Sequence, residues 1–385
     1  MPTATIVHNQ WMKRPPDERF TSLTALGAMT SYRYKKAKEA VLPNRHITVL
    51  PSATDRNSII AQYKGKTGEY PAALTHWSFG QLSTLAGAPA AYLRSGLPGA
   101  LVADNLNWGL HHARQVEQVG ILLRRPESEV TLAAATGPKY GRVWDAEVAD
   151  ELINEFGDGV TGAWRVPGEF GKQVPITPEN TTLYGSDRDI WIFLANETNR
   201  VNVPNRRDGK PGSWSRGFYA TNSEVGAGVL GFGVFMFDYL CCNRIIWGLQ
   251  DKHEIRIRHT AGAPLRWDEE VRPVLRELAR TDISAVPIEE TIKAAQNKKL
   301  DTDIEEWLSS RFNNRTYAGP MIAVHLAEEN RPIETLFDAV TAATAYARRI
   351  EHQDTRVAIE RTAGSWLNPL VNPKNRQNTI QSIQL

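Results

Sequence analysis

Five cations fall within 17 residues, Arg200, Arg206, Arg207, Lys210 and Arg216, interleaved with Trp214, Phe218 and Tyr219. A second group, Lys139, Tyr140, Arg142 and Trp144, repeats the mixture, and a strand through Arg256 and Arg258 projects both to one side. Cations with interspersed rings suit single-stranded nucleic acid, because Lys and Arg neutralise phosphates while rings stack on bases. The same residues also suit a solvated sheet edge above ordinary core aromatics.

Other chemistry has weaker footing. Asp187, Asp189 and Glu197 lie beside one expected strand and Glu224 on a neighbour; acids converging on a sheet hold Mg²⁺ in a phosphodiester-cleaving enzyme. Asp at a turn and carboxylates paired with nearby arginines explain them equally well. Gly226-Ala-Gly228-Val-Leu-Gly231 matches G-x-G-x-x-G, but the aromatic GVFMFDYL that follows reads as a strand, where a dinucleotide fold needs a helix. The glycines are expected to serve a bend or a close backbone approach. The histidine pairs, His111-His112 and His253/His259, have no partners at ligand spacing. No G-x-S-x-G elbow is present, and neither cysteine adjoins a plausible base. No cofactor and no metal site are expected.

Whatever positions these residues is a globular, water-facing fold. The 385 residues are 41% hydrophobic and 23% charged, which excludes disorder, collagen and coiled-coil rods. A formal charge of +2 implies no partner by itself, so nucleic-acid binding needs locally concentrated cations. The two cysteines, Cys241 and Cys242, are adjacent, which excludes a disulfide scaffold and a Cys-based zinc cluster and suits a reducing compartment. The opening MPTATIVHNQWMKRPPDERF has no signal-peptide core, and the greasiest run, Val225 to Leu240, carries four glycines and Asp238. A cytoplasmic protein without membrane contact is expected.

Patterning divides the chain. Residues 1–72 are polar and Pro-rich and predict few elements. Residues 73–115 predict a helical hairpin, with Phe79, Leu82, Leu85 and Ala86 on one face and a second helix ending at Arg94; a further helix runs from Leu101. The cadence of QLSTLAGAPAAYLRSG also fits a helix-turn-helix regulator of duplex DNA. Residues 116–262 predict an α+β core. A hairpin, Gln118 to Arg124 and Glu129 to Ala135, turns at Arg125-Pro126-Glu127-Ser128, and a helix capped by Asp145 ends at Gly157. Strands follow at 189–195, 213–221, 229–240 and 254–259, with a long polar loop at 196–213 between the first two. Residues 263–367 predict helices, the last opening at Pro332, and 368–385 a tail. The fold class is α+β, a central antiparallel sheet with hairpin–helix units between an N-terminal helical hairpin and a C-terminal helical region.

The segments LTHWSFGQLSTLAGAPAAYLR (74–94), LNWGL (106–110), KYGRVWD (139–145) and FYATNSEVGAGVLGFG followed by CCN (218–243) resemble a phage- and plasmid-borne family described as phage/plasmid-like protein. The most specific mark is Asn222-Ser223-Glu224-x-Gly226 with Gly228, ahead of Cys242-Asn243. Arg244 departs from the Asn-Gly of that pattern. The hairpin–helix–sheet order is similar to single-strand annealing proteins of the RecT, Red-beta and Erf kind, which form rings or filaments with DNA in an outer basic groove. The resemblance implies a non-enzymatic, oligomeric protein that binds and anneals single-stranded DNA in phage or plasmid recombination. A metal-dependent nuclease and a duplex-DNA regulator are the alternatives.

Overall fold

The computed structural model describes residues 5–6, 14–53, 55–112, 117–125, 130–167, 175–207, 209–240, 242–247, 255–280, 286–312 and 315–371. In chain order the strands and helices are β1 (Thr5–Ile6), β2 (Glu18–Phe20), α1 (Leu23–Lys35), β3 (Ala37–Pro43), β4 (Ile47–Pro51), β5 (Ser58–Lys64) and β6 (Glu69–Leu74), then α2 (His76–Leu85), α3 (Ala90–Leu93) and α4 (Gly99–His112). The middle holds β7 (Gln118–Arg124), β8 (Thr131–Thr136), α5 (Asp145–Phe156), β9 (Trp164–Arg165), β10 (Leu183–Gly185), β11 (Ile190–Arg207), β12 (Lys210–Asn222), β13 (Leu230–Asp238), β14 (Asn243–Ile245) and β15 (Ile255–Ile257). The remainder is helical: α6 (Ala263–Arg266), α7 (Arg272–Arg280), α8 (Val286–Asn297), α9 (Ile304–Ser309), α10 (Ala318–Glu329), α11 (Leu336–Ala347) and α12 (Gln353–Ser365).

The α+β class is what the chain adopts, with its strands in two sheets. A seven-stranded sheet runs β1-β5-β6-β8-β7-β3, with β4 also on β5; β6 and β8 are parallel and the other pairs antiparallel. An eight-stranded antiparallel sheet runs β14-β13-β12-β11-β10-β2, with β15 on β13 and β9 on β11. The hairpin at 118–136 therefore belongs to the first sheet and the strands from 183 onward to the second.

Side-chain alternation explains the layering. Along β11, Ile190, Ile192 and Leu194 enter one core under α1 and α5, while Trp191, Phe193 and Ala195 enter another on the opposite face. Farther along the same ribbon, Val201, Val203 and Trp214 pack with the C-terminal helices. The seven-stranded sheet buries one face under α2 and α4, through Phe79, Leu82, Val102 and Leu106.

Several expectations are corrected. The described residues between 14 and 72 carry regular structure, where Ser22 caps α1 and Leu23, Leu26, Gly27 and Thr30 make a narrow buried stripe. The polar stretch 196–213 is no loop but the outer half of the β11/β12 ribbon, whose tip is at Gly209 with φ 74°. Asp145 is the first helical residue, not the cap, and α11 opens after Thr335 rather than at Pro332. The Pro126 turn, Cys241, His253 and the residues after Val371 lie outside the described residues.

Candidate nucleic-acid interface

After β8 the chain turns at Pro138-Lys139 and continues through Tyr140-Gly141-Arg142-Val143-Trp144, where Arg142 lies against both the Tyr140 and Trp144 rings while Val143 enters the core. Gly141 permits this course: a Cβ there would lie 1.9 Å from the Thr260 carbonyl oxygen. The close approach brings His259 beside Tyr140, their rings stacked at 5.0 Å. The Arg142 guanidinium carbon lies 5.1 Å from the Tyr140 ring centre and 5.6 Å from that of Trp144. Trp144 in turn meets Tyr34 of α1 edge-on at 4.8 Å. His259, Tyr140, Arg142, Trp144 and Tyr34 thus form an unbroken ladder of rings and one cation.

The ladder is deep at one end and open at the other. His259 is buried, and its Nδ1–H donates to the Gly141 carbonyl at 3.1 Å. Burial pulls its pKa down to about 4, with Arg142 acting in the same direction, so the ring is neutral at physiological pH. Tyr140 donates its hydroxyl to the Ser223 carbonyl at 2.6 Å, and burial pushes the phenol well above its ordinary range. At the open end Tyr34 is 47% exposed; Tyr32, two residues back on α1, is 46% exposed but on another side of that helix. Lys35, Lys139, Arg256 and Arg258 are exposed, and Lys36 Nζ lies 5.9 Å over the Tyr32 ring. The run Tyr32-Arg33-Tyr34-Lys35-Lys36 has the cation–aromatic alternation recognised elsewhere in the chain. It was missed because the segment around it predicted no element.

The 200–216 set does not assemble. Arg206 is buried on Asp238 and on Glu329 at 3.1 Å, its stem lying across Gly212. A register shift between Val203 and Arg207 turns it inward. Trp214 is fully buried and stacked on Phe337, and Arg216 is buried in the sheet. Arg200 is exposed but lies over Tyr239 at 4.5 Å and donates to the Glu197 carbonyl at 3.3 Å. Lys210 is exposed at the ribbon tip; the Arg207 side chain is outside the described residues.

The Asn222–Gly228 turn fastens the two sheets together. Asn222 donates to the Val143 carbonyl and to Asp145, both at 2.8 Å, and Ser223 donates to the Arg188 carbonyl at 2.6 Å. Glu224 accepts from the Arg124 guanidinium of the seven-stranded sheet and from the Asp145 backbone N–H at 3.2 Å. The Val225 carbonyl accepts from Trp77 at 3.1 Å and Gln81 at 2.8 Å. Gly226 has φ 85° and three side chains within 3.4 Å of where a Cβ would sit, whereas Gly228 faces open space out to 4.0 Å. Gly226→Ala is therefore expected to lower the melting temperature and Gly228→Ala to leave it nearly unchanged; equal shifts would show that the two are alike. The structural role expected at Gly228 is thus not supported by its surroundings. Beyond this turn the chain enters strand β13, not a helix. At the other end of β13, Cys242 (φ 56°) takes the left-handed position and Asn243 donates to the Thr341 carbonyl at 3.4 Å. Arg244 is buried on Glu360 at 3.1 Å and Gln353 at 2.9 Å, so no glycine is needed there.

The four acids of the nuclease alternative do not share one site. Asp189 accepts from Ser186 at 2.9 Å, Glu197 from Tyr239 at 3.2 Å and Glu224 from Arg124, while Asp187 is held above the ordinary carboxylate range by burial. Among the described residues no three His, Cys, Asp or Glu lie close enough to hold a metal ion. Asp145 is driven well above its ordinary 3.8 by burial and then by Glu224 beside it. As pH rises past 3.8 the unfolded chain releases this proton before the folded one does, so the group's contribution to stability falls with rising pH. Asp145→Asn is accordingly expected to be more stable than the wild type at pH 8 and no more stable near pH 4. Parallel pH–melting curves for the two proteins would refute this.

The chain matches no family model, no curated protein and no solved structure. Among the described residues no helix is long and apolar enough to cross a membrane. The segment that offered a helix-turn-helix as an alternative forms α2 and the four-residue α3, a single turn that is short for a groove-reading helix.

Proposed function

We propose that the protein binds single-stranded DNA and anneals it, without catalysis of its own, as an oligomer serving phage or plasmid recombination. The observation that carries this reading is the ladder from His259 to Tyr34, open at Tyr34, whose residues Tyr34, Tyr140 and His259 each adjoin an exposed cation in the sequence, Lys35, Lys139 and Arg258. Rings in series accept unstacked bases of any sequence, and nearby cations hold the phosphates. Binding of this kind leaves Watson–Crick edges free to find a complement, which is what annealing requires. The resemblance to phage- and plasmid-borne sequences supports the biological setting. The buried half of the ladder supplies rigidity, and the exposed Tyr34 supplies the stacking surface.

Tyr34→Ala should weaken binding to labelled oligothymidine about tenfold, the effect of one lost base stack. Because the ring is half exposed, the melting temperature should hardly move. Binding is measured beside duplex DNA, with Mg²⁺ and with EDTA. Unchanged affinity removes the ladder from the interface. Mg²⁺-dependent cleavage, or equal preference for duplex, overturns the reading.

A further inference from the structure

Arg142 is the cation of the ladder, yet its side chain is only 4% exposed. Its Nε donates to Glu39 Oε1 at 2.6 Å, while Nη1 is buried without a hydrogen-bond partner. Glu39 projects from β3, the outermost strand of its sheet, and its carboxylate side chain is 49% exposed. The geometry is that of a buried guanidinium closed from outside by a solvent-facing acid. Carboxylate and phosphate oxygens engage a guanidinium in the same way.

We infer that Glu39 is an internal phosphate mimic: it caps Arg142 and is displaced by a backbone phosphate when a strand settles on the ladder. This rests on the nucleic-acid reading above and adds a residue that sets how tightly the site binds. Three features support it. Glu39 can swing into solvent by side-chain rotation alone, since its backbone stays paired with Leu122. The flanking rings of Tyr140 and Trp144 hold the guanidinium in place when the acid leaves. Among the described residues Glu39 is the acid paired with this guanidinium, so its departure leaves a buried cation for a phosphate to neutralise.

The test is fluorescence anisotropy with labelled oligothymidine across a salt series, on the wild type, Glu39→Gln, Glu39→Ala and Glu39→Ala/Arg142→Gln. Glu39→Ala should bind about tenfold tighter, because one charge-assisted hydrogen bond is no longer taken by an internal acid. Glu39→Gln should bind tighter by less. The double variant should lose the gain, and oligothymidine should raise the melting temperature of Glu39→Ala more than that of the wild type. If the wild type binds and Glu39→Ala binds equally or more weakly, Glu39 is a structural counter-ion and the inference is wrong, while the nucleic-acid reading stands. If no variant binds even at low salt, both fall. Should the double variant not fold, Glu39→Gln against the wild type still decides.

Discussion

Arg206→Ala is expected to lower the unfolding free energy by about 3–5 kcal/mol, the usual effect of stranding a buried charge. The arginine side chain is 0% exposed and the Asp238 and Glu329 side chains 1% and 4%, so removing it leaves two carboxylates without their counter-ion and out of reach of water. Glu329 makes matters worse, because it ends α10, where the helix dipole already disfavours an acid. The β11/β12 ribbon also loses its tie to the C-terminal helices at this point. Urea unfolding measures the effect. Arg206→Met combined with Asp238→Asn and Glu329→Gln should recover part of it, since an uncharged trio strands nothing. A change below about 1 kcal/mol for Arg206→Ala would mean that water or another cation reaches the acids. The salt dependence of DNA binding should not single out this residue.

The second large effect is a coupling. Glu224→Gln alone should be moderate, about 1–3 kcal/mol, because the amide oxygen still accepts a hydrogen bond. Losing the charge beside Asp145 also lets that acid ionise more readily, and it faces Arg124 and Arg33 as a substitute counter-ion. Combining Glu224→Gln with Asp145→Asn removes both anions and leaves two partly buried arginines close together. The double variant should therefore be destabilised well beyond the sum of the single changes, although Asp145→Asn by itself stabilises at pH 8. Additivity within about 0.5 kcal/mol would show that the two acids do not share the arginines.

These residues also show what a sequence can and cannot disclose. Gln118 to Arg124 was readable as a strand because its apolar residues are dense and its neighbours are turn formers, and the structure places β7 on those residues. Helix α5 was readable from Val148, Leu152 and Phe156 on one stripe and Gly157 at its end. The outer ribbon was not, since NETNRVNVPNRRDGKPGS offers only Val201 and Val203 as β-branched apolar residues. What holds it extended is burial of those valines and of Trp214 against the C-terminal helices that follow Val286 in the chain. Helix α1 was missed for a related reason: only Leu23 and Leu26 are large apolar residues in its buried stripe, and Gly27 sits where α5 passes closely. Of the candidate interface, Tyr140, Arg142 and Trp144 were legible through their alternation. Their extension to His259 and Tyr34 was not, because it depends on a backbone approach at Gly141 that no local pattern encodes. Arg206 and Trp214 misled, because composition cannot tell a surface cation from one turned inward by a register shift.

The fastening turn has a consequence for how the chain is made. Arg124 and Glu224 are 100 residues apart, so the arginine leaves the ribosome long before its counter-ion exists. At about 5–20 residues per second, that interval lasts roughly 5–20 s. Throughout it the seven-stranded sheet can form, yet Leu122, Ala133 and Ala134 on its second face lack Val225, the residue that later covers them. Half-made chains thus present a greasy patch beside an unpaired arginine, a surface suited to transient shielding by a chaperone until residue 228 emerges and the two sheets lock.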